Sequence, residues 1–384
     1  MSRIEDADAD AGTGSLDDRI GAMVTELELG PAITRPSEYW DHLNELNLRQ
    51  LAAGGFEEFK RTINGNYFQW LPTSPADPQF RRLLLKFARH PSLPPLTARL
   101  DEGAYVDDRE SEVVDPFRSP ARRRAYSWFV ASLWEYVGSR DDRGLTRSLD
   151  EPSLGNPLVV SYRGRRVSQD LCNSALEMIA ILDALPGRRP PQDGILELGG
   201  GYGRLAWMFL ECFPTVRYVV VDIPPALAVA ERYLSLLYPS RRRFGFRHFG
   251  SFDAVRDEFE DAQIAFLTPN QVAAMPDSSV GLSINVSSLH EMRSEQIAFY
   301  LETIDRLTDG HFYSKQWIRS VNRFDGLVIN REDYPIPTSW RTVFNRQHPI
   351  QTPFFEALFA TRPETESNLP ADPGTAREPA LRQE

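Results

Sequence analysis

Cysteines and long apolar runs are scarce in this chain of 384 residues. The two cysteines, Cys172 and Cys212, lie far apart, and neither belongs to a pair with the spacing of metal ligands. This scarcity argues against a disulfide framework and a structural zinc site, and it suits a reducing cytoplasm. No apolar run approaches the roughly 20 residues of a membrane-spanning helix, and no signal peptide pattern is evident. We therefore expect a cytoplasmic protein with no membrane partner.

Basic residues are also fewer than acidic ones, with 43 Lys and Arg against 54 Asp and Glu. The formal net charge is -11 at pH 7, whereas a general nucleic-acid surface needs a basic face that neutralises phosphates. The short arginine clusters at 122–124 and 241–243 are adequately explained as solvated helix ends or loops. We expect a small-molecule partner and no nucleic acid, and a homo-oligomer is compatible with this composition.

The stretch from Ile195 to Ala206 organises the second half of the chain. An apolar run that breaks into glycines and resumes with helical spacing predicts a buried strand, a tight turn and a helix N-terminus. A second apolar run, from Val216 to Val221, ends at Asp222. An acidic residue at the tip of the second strand is placed to accept hydrogen bonds from ribose hydroxyls. The pattern therefore predicts a Rossmann-type unit with a nucleoside cofactor.

The glycine spacing is compatible with two classes of cofactor. The dinucleotide fingerprint G-x-G-x-x-G/A fails from Gly199, because Arg204 occupies its last position, but it fits from Gly201 to Ala206. A second pattern, E-x-G-x-G-x-G, resembles motif I of class I S-adenosylmethionine-dependent methyltransferases. Its residues are Glu197, Gly199, Gly201 and Gly203. We favour this second pattern, and hence S-adenosyl-L-methionine as cofactor.

The resemblance implies roles for individual residues. In class I methyltransferases the glycine turn lies against the methionine part of the cofactor, and the acid after the second strand, here Asp222, holds the ribose. Strand three is predicted over Gln263–Leu267, and the loop after it lies beside the adenine in that class, usually with an Asp. Asn270 and Gln271 occupy those positions here, and an amide can donate and accept as adenine requires. The plainer alternatives are that Glu197 caps backbone N–H groups and that Asp222 caps the following helix.

Polar residues also gather at the predicted end of strand four, Gly281–Val286. His290 and Glu291 follow this strand, and Lys315–Trp317 follow the next predicted strand, Gly310–Ser314, so both groups should reach the edge where open parallel sheets bind ligands. The imidazole of a histidine can serve as a general base near neutral pH, which makes His290 the candidate base, and Glu291 could orient its imidazole or a substrate hydroxyl. A hydrogen-bonded structural histidine is the alternative.

A polar segment precedes the cofactor strand. Ser168 is predicted to cap a helix that places Asp170, Asn173 and Ser174 in its first turns. These side chains could meet the ligand or serve ordinary capping, and the sequence favours neither. No compact carboxylate cluster indicates a metal site, so we predict none.

The fold predicted from these elements is α/β, a Rossmann-like class I methyltransferase sheet with a mainly helical N-terminal domain. Ser37 and the pair Gly54-Gly55 mark the start and end of one of its helices. The predicted divisions are a disordered tail (1–18), a helical domain on the substrate side (19–150), the methyltransferase domain (151–361) and a second disordered tail (362–384).

Taken together, several motifs resemble a family of sugar O-methyltransferases. The likeness runs from about Pro36 to Phe359, and its flanking motifs are specific to that family. The motifs are Pro36–Trp40, Phe59–Asn64, Asn66–Trp70, Gly155–Pro157, Ser168–Ser174, Gly199–Ala206, Val221–Pro225, His290–Met292, Lys315–Trp317 and Asp333–Pro337.

The family resemblance implies methyl transfer from S-adenosyl-L-methionine to a hydroxyl of a sugar or glycosylated small molecule. Whether the acceptor is a free sugar, a nucleotide-linked sugar or part of a natural product stays open. Two rival classes also stay open: an NAD(P)-dependent oxidoreductase on the same fold, and a non-catalytic scaffold. The intact glycines and Asp222 argue against the scaffold.

Overall fold

The computed structural model describes residues 15–62, 71–87, 98–101, 117 and 119–362. Its helices are α1 (Leu16–Leu29), α2 (Glu38–Gly54), α3 (Pro78–Phe87), α4 (Pro120–Arg140), α5 (Gln169–Ala184), α6 (Arg204–Cys212), α7 (Ala226–Leu237), α8 (Arg256–Asp261), α9 (Pro269–Val272) and α10 (Ser294–Leu307). Its strands are β1 (Arg99–Leu100), β2 (Val160–Tyr162), β3 (Arg165–Val167), β4 (Ile195–Leu198), β5 (Tyr218–Val221), β6 (Arg243–Phe244), β7 (Ile264–Leu267), β8 (Val280–Val286), β9 (Thr308–Trp317), β10 (Arg319–Asn322), β11 (Leu327–Asn330), β12 (Arg341–Gln347) and β13 (Phe354–Ala360).

Eight of these strands form one sheet in the order β12-β13-β9-β8-β4-β5-β7-β6. Neighbouring strands are parallel from β9 to β6, whereas β13 runs antiparallel to both β9 and β12. The strand that follows β4 in the chain lies on one side of it, and β8 lies on the other. The sheet is therefore doubly wound about β4, which confirms the predicted Rossmann-like α/β fold.

The central strands are buried on both faces. In β4, Ile195 belongs to the hydrophobic cluster under α5 and α6, whereas Leu196 belongs to the cluster under α10. Every residue of β4, β5, β7 and β8 is buried. Because helices cover both faces, these strands appear in the sequence as continuous apolar runs and not as alternating ones.

Helices dominate the described part of the N-terminal region. Here α4 packs against α5, and α1 packs against α7, where Arg19 pairs with Glu231. The helix α1 begins at Leu16, inside the segment 1–18 that was predicted to be a tail, and Ser15 caps it. Arg362, at the start of the second predicted tail, donates to Asp305, whereas residues 1–14 and 363–384 lie outside the described residues. The division into domains stays a prediction. No helix in the described ranges is both long enough and apolar enough to cross a membrane.

One strand differs from its prediction, and two further segments had no predicted element. The strand predicted over Gly310–Ser314 is longer, because β9 continues through Trp317 and pairs with β13. The unassigned segment Phe244–Phe259 contains the end of β6 and most of α8. In the motif Phe59–Asn64, Phe59 is fully buried core, and residues 63–70 lie outside the described residues.

Candidate functional site

A cavity of about 810 Å³ lies at the carboxyl edge of the parallel strands. The glycine turn, the ends of β5 and β9, the loop after β8 and the first half of α2 form its walls. This is the edge where strand order reverses next to β4, so the backbone topology leaves a crevice there. Most of the residues predicted for the site line it. They are Glu197, Gly199, Gly201, Asp222, His290 and Glu291.

The glycine turn requires glycine for two different reasons. Gly199 has a φ of +74°, its N–H donates to Val221 O at 2.8 Å, and a Cβ on it would overlap Ser288 Oγ. Gly201 also has a positive φ, but a Cβ there would meet nothing within 4 Å. Gly203, at a φ of +87°, leads into α6. Gly199 therefore allows close packing inside the protein, whereas Gly201 keeps its backbone accessible from the cavity.

Asp222 lies directly beside this turn. Its Oδ2 accepts the Gly201 N–H at 2.6 Å, and its Oδ1 accepts the Ile223 N–H at 2.7 Å. Burial raises the pKa of Asp222 to about 7, although both backbone N–H groups act in the opposite direction. The helix that follows begins after Pro225 without a side-chain cap, so Asp222 does not serve as its N-cap. The carboxylate is fixed at the cavity wall with further lone pairs for a ligand.

Glu197 is buried in β4 beneath the glycine turn. Its Oε2 accepts a hydrogen bond from the Tyr218 hydroxyl at 2.8 Å. Burial raises the pKa of Glu197 to about 8, while the positive charge of Arg204 and the Tyr218 hydrogen bond lower it. Glu197 therefore supports the turn from below and borders the cavity.

Asn270 and Gln271 do not line the cavity, in contrast to their predicted contact with adenine. Asn270 Nδ2 donates to the Glu26 carboxylate at 2.9 Å and to the Glu26 carbonyl at 3.1 Å, which ties α9 to α1. Gln271 accepts from the Thr268 N–H and donates to Arg247 O, so it caps α9. The Asn270 NH2 group is engaged because α1, whose docking site cannot be inferred from the local sequence, covers this loop. Pro269 is the residue of α9 that reaches the cavity.

His290 lies in the 3-10 turn Leu289–Glu291 that follows β8, and only 4% of its surface is exposed. Its Nδ1 lies 3.0 Å from Gln316 Oε1 on β9. Gln316 Nε2 donates in turn to Asn285 Oδ1 at 2.6 Å, and Asn285 Nδ2 donates to Leu198 O at 2.8 Å. A chain of hydrogen bonds thus links His290 to the end of β4, where the glycine turn begins.

This chain defines the tautomer of His290. Gln316 Nε2 faces acceptors, the carbonyl and the amide oxygen of Asn285, so its Oε1 faces the imidazole. An amide oxygen only accepts, and Nδ1 must therefore carry the proton. Nε2 lies 3.4 Å from Glu291 Oε1. In the neutral ring Nε2 is therefore the nitrogen that can accept a proton, and His290 borders the cavity. Gln316 orients the ring through Nδ1.

A cover formed by α2 and the β10–β11 hairpin closes the outer side of the cavity. Ser37 was predicted to cap α2, but its Oγ donates to Glu291 O at 3.1 Å, and Asp325 accepts the first N–H groups of the helix instead. The rings of His42 and Phe324 stack with centroids 4.9 Å apart. Aromatic side chains from both elements therefore face the cavity, and the cover is tied to the loop that carries His290.

The inner wall carries buried charges. Glu177 of α5 accepts from Arg204 Nη1 at 2.6 Å and from Lys315 Nζ at 2.7 Å. Lys315 also donates to Gln351 Oε1. Burial lowers the pKa of Lys315, and the carboxylate of Glu177 opposes this shift. Trp317 and Phe354, with centroids 5.3 Å apart, separate this group from His290.

No family model matches the sequence, and no curated protein matches it. Among the solved structures that are similar to it are three methyltransferases. A SAM-dependent methyltransferase from Aquifex aeolicus has 14% identity and a TM-score of 0.31 over 49% of this chain and 93% of its own. The 1,6-didemethyltoxoflavin-N1-methyltransferase from Burkholderia thailandensis, with bound S-adenosylhomocysteine, has 17% identity and a TM-score of 0.32 over 49% of this chain and 78% of its own. The mitomycin 7-O-methyltransferase MmcR has 13% identity and a TM-score of 0.32 over 61% of this chain and 62% of its own. The chemistry of this chain is therefore inferred from its own residues.

The residues present fit an S-adenosyl nucleoside. The face of Gly201 that points to open space allows close approach to the backbone, and the Asp222 carboxylate beside it can accept hydrogen bonds from a ribose. The positive end of α6 lies behind the turn. Among the described residues, no group of three or more His, Cys, Asp or Glu side chains could hold a metal ion.

We expect Asn270→Ala to leave the affinity for S-adenosylhomocysteine within about twofold of wild type, because its side chain faces α1. The free energy of unfolding should fall by about 1–3 kcal/mol, since the buried Glu26 carboxylate loses a hydrogen bond. Calorimetric titration and urea unfolding measure the two quantities. A large loss of affinity with unchanged stability would restore the adenine role.

Proposed function

We propose that this protein transfers a methyl group from S-adenosyl-L-methionine to a hydroxyl of a sugar or a glycosylated small molecule. The observation that carries the proposal is the presence, in one cavity, of the Gly201–Asp222 pair and of His290, whose Nδ1 is held by Gln316. The pair suits a nucleoside, and the other imidazole nitrogen suits a hydroxyl that must lose its proton. These residues follow the adjacent strands β8, β4 and β5 of a buried sheet, so their separation is fixed.

The cofactor, when bound, supplies a methyl group on a positively charged sulfur. Asp222 and the glycine turn would hold its nucleoside, with the carboxylate accepting from the ribose hydroxyls. His290 Nε2 would accept the proton of the acceptor hydroxyl, a step for which a positioned base contributes about 100-fold to 10,000-fold. Glu291, 3.4 Å from Nε2, would stabilise the imidazolium that results. The cover of α2 and the hairpin would exclude water and hold the acceptor in line.

Two observations support a sugar as the acceptor. Aromatic rings border the cavity, namely Trp317 with Phe354 and His42 with Phe324, and the apolar faces of pyranose rings pack on such surfaces. The resemblance of the flanking sequence motifs to sugar O-methyltransferases agrees with this composition. Oxygen as the acceptor atom follows from that resemblance and from the presence of a base.

Calorimetric titration of the purified protein with S-adenosylhomocysteine and, separately, with NADH tests the cofactor. We expect micromolar binding of the first and none of the second. Binding of NADH alone would overturn the proposal in favour of an oxidoreductase, and binding of neither would favour a scaffold. A screen of sugars and glycosides with S-adenosyl-L-methionine, scored by release of S-adenosylhomocysteine, then tests the acceptor class. Turnover only with amines or non-sugar phenols would reject the sugar.

A further inference from the structure

The charged group on the inner wall plays no part in the mechanism above. Both carboxylate oxygens of Glu177 are engaged, one by Arg204 Nη1 and the other by Arg204 Nη2 and Lys315 Nζ. Two cations therefore share one anion inside this hydrogen-bonded group. The only side-chain oxygen of Gln351, Oε1, is also occupied, by Lys315. Every acceptor in the group already has a donor.

Donors remain available beside these satisfied acceptors. Asn173 lies one turn before Glu177 on α5, is 3% exposed and borders the cavity. Its Nδ2 makes no hydrogen bond to any described residue. Lys315 uses its ammonium group on Glu177 and Gln351, which leaves one of three protons for another partner. A buried amide donor without a partner costs free energy, so this position favours a ligand that supplies an acceptor.

We propose that Asn173 and Lys315 form a subsite for a carboxylate group of a ligand in the cavity. A carboxylate only accepts hydrogen bonds, as this set of spare donors requires, whereas a hydroxyl would also need an acceptor. The ammonium group of Lys315 supplies positive charge for an anion, and the N-terminus of α6, nine residues long, adds a positive field at Arg204. This inference depends on the proposed function only for the identity of the ligand that carries the carboxylate. The carboxylate belongs either to the amino-acid end of the cofactor or to an acidic sugar acceptor.

Two pairs of probes separate these sources. S-adenosylhomocysteine carries the amino-acid carboxylate, whereas 5′-methylthioadenosine has the same nucleoside thioether without it. We expect Asn173→Asp, which replaces the donor by a negative charge, to weaken S-adenosylhomocysteine binding about tenfold or more and to leave 5′-methylthioadenosine unchanged. This outcome assigns the subsite to the cofactor. Methyl glucuronide and methyl glucoside form the second pair, and selective loss of glucuronide binding assigns it to the acceptor.

The proposal is overturned if Asn173→Asp changes the affinity for no member of either pair. It is also overturned if the variant weakens binding of both members of a pair equally, as a purely structural defect would. Asn173→Ala, which removes the donor without adding charge, provides the same comparison if the aspartate variant does not fold, and thermal unfolding checks both variants. Failure of wild type to bind S-adenosylhomocysteine would instead reject the proposed function. The glucuronide pair, titrated without cofactor, then decides the subsite alone.

Discussion

Replacing Asp222 by alanine is expected to weaken S-adenosylhomocysteine binding about tenfold to 100-fold, the effect of losing hydrogen bonds to a charged group. The carboxylate also accepts the Gly201 N–H at 2.6 Å, so its removal frees the glycine turn as well as the ribose partner. Calorimetric titration measures the loss. Unchanged affinity in a folded variant would remove Asp222 from the cofactor site.

The affinity of wild type should also depend on pH. Burial raises the pKa of Asp222 to about 7, so the free protein holds a neutral carboxyl below that pH and a carboxylate above it. Ribose hydroxyls donate to the carboxylate, and we therefore expect binding to strengthen as pH rises through 7. Asp222→Asn keeps the shape without the titration, and its affinity should be flat over the same range. A parallel pH dependence in the asparagine variant would assign the titration to another group, such as Glu197.

His290→Ala is expected to lower the turnover number about 100-fold or more, the typical contribution of a general base, while the affinity for S-adenosylhomocysteine stays unchanged. The imidazole lies after β8, separate from the Gly201–Asp222 pair, so the two measurements should respond independently. Turnover with the acceptor found in the screen and titration of the cofactor product measure them. Full activity in the alanine variant would make His290 a structural residue.

Gln316 provides the matched control for this variant. Gln316→Leu keeps the size of the side chain but removes the acceptor at His290 Nδ1, so the ring is free to exchange tautomers. We expect turnover to fall less than in His290→Ala. The ring-nitrogen NMR shifts of His290 should change from the Nδ1–H form towards a mixture. A leucine variant with a full loss of turnover and an unchanged tautomer would indicate disruption of β9 instead.

The fold could be predicted because its signals are local. Glycines after β4 and the apolar runs of β5, β7 and β8 each report on adjacent residues, and the structure places these strands where the patterns indicated. The length of β9 could not be predicted in the same way. Lys315–Trp317 are extended because β13, forty residues further on, pairs with them, and that contact has no local pattern.

The site was predictable only in part for the same reason. Asp222 and His290 follow strands directly, so topology alone delivers them to one edge. The position of Gln316 at this edge was predicted, but its contact with His290 was not, and Glu177 was missed, because these roles arise from partners on other elements. A charged residue inside the otherwise apolar stretch Ala175–Leu182 of α5 was the available signal for Glu177. Asn270 and Gln271 were assigned by analogy to a loop, but Asn270 binds Glu26 of α1 and Gln271 caps α9.

The hydrogen-bonded chain from Leu198 through Asn285 and Gln316 to His290 crosses three adjacent strands of the sheet. It separates the parts of the molecule that must remain constant from those that are free to vary. The hydrogen-bonded chain fixes His290 to the rigid sheet, whereas the cover consists of peripheral elements that few hydrogen bonds join to the sheet. Descendants of such a scaffold could exchange α2 and the hairpin to accept new molecules, and the distance between methyl donor and base would survive each exchange.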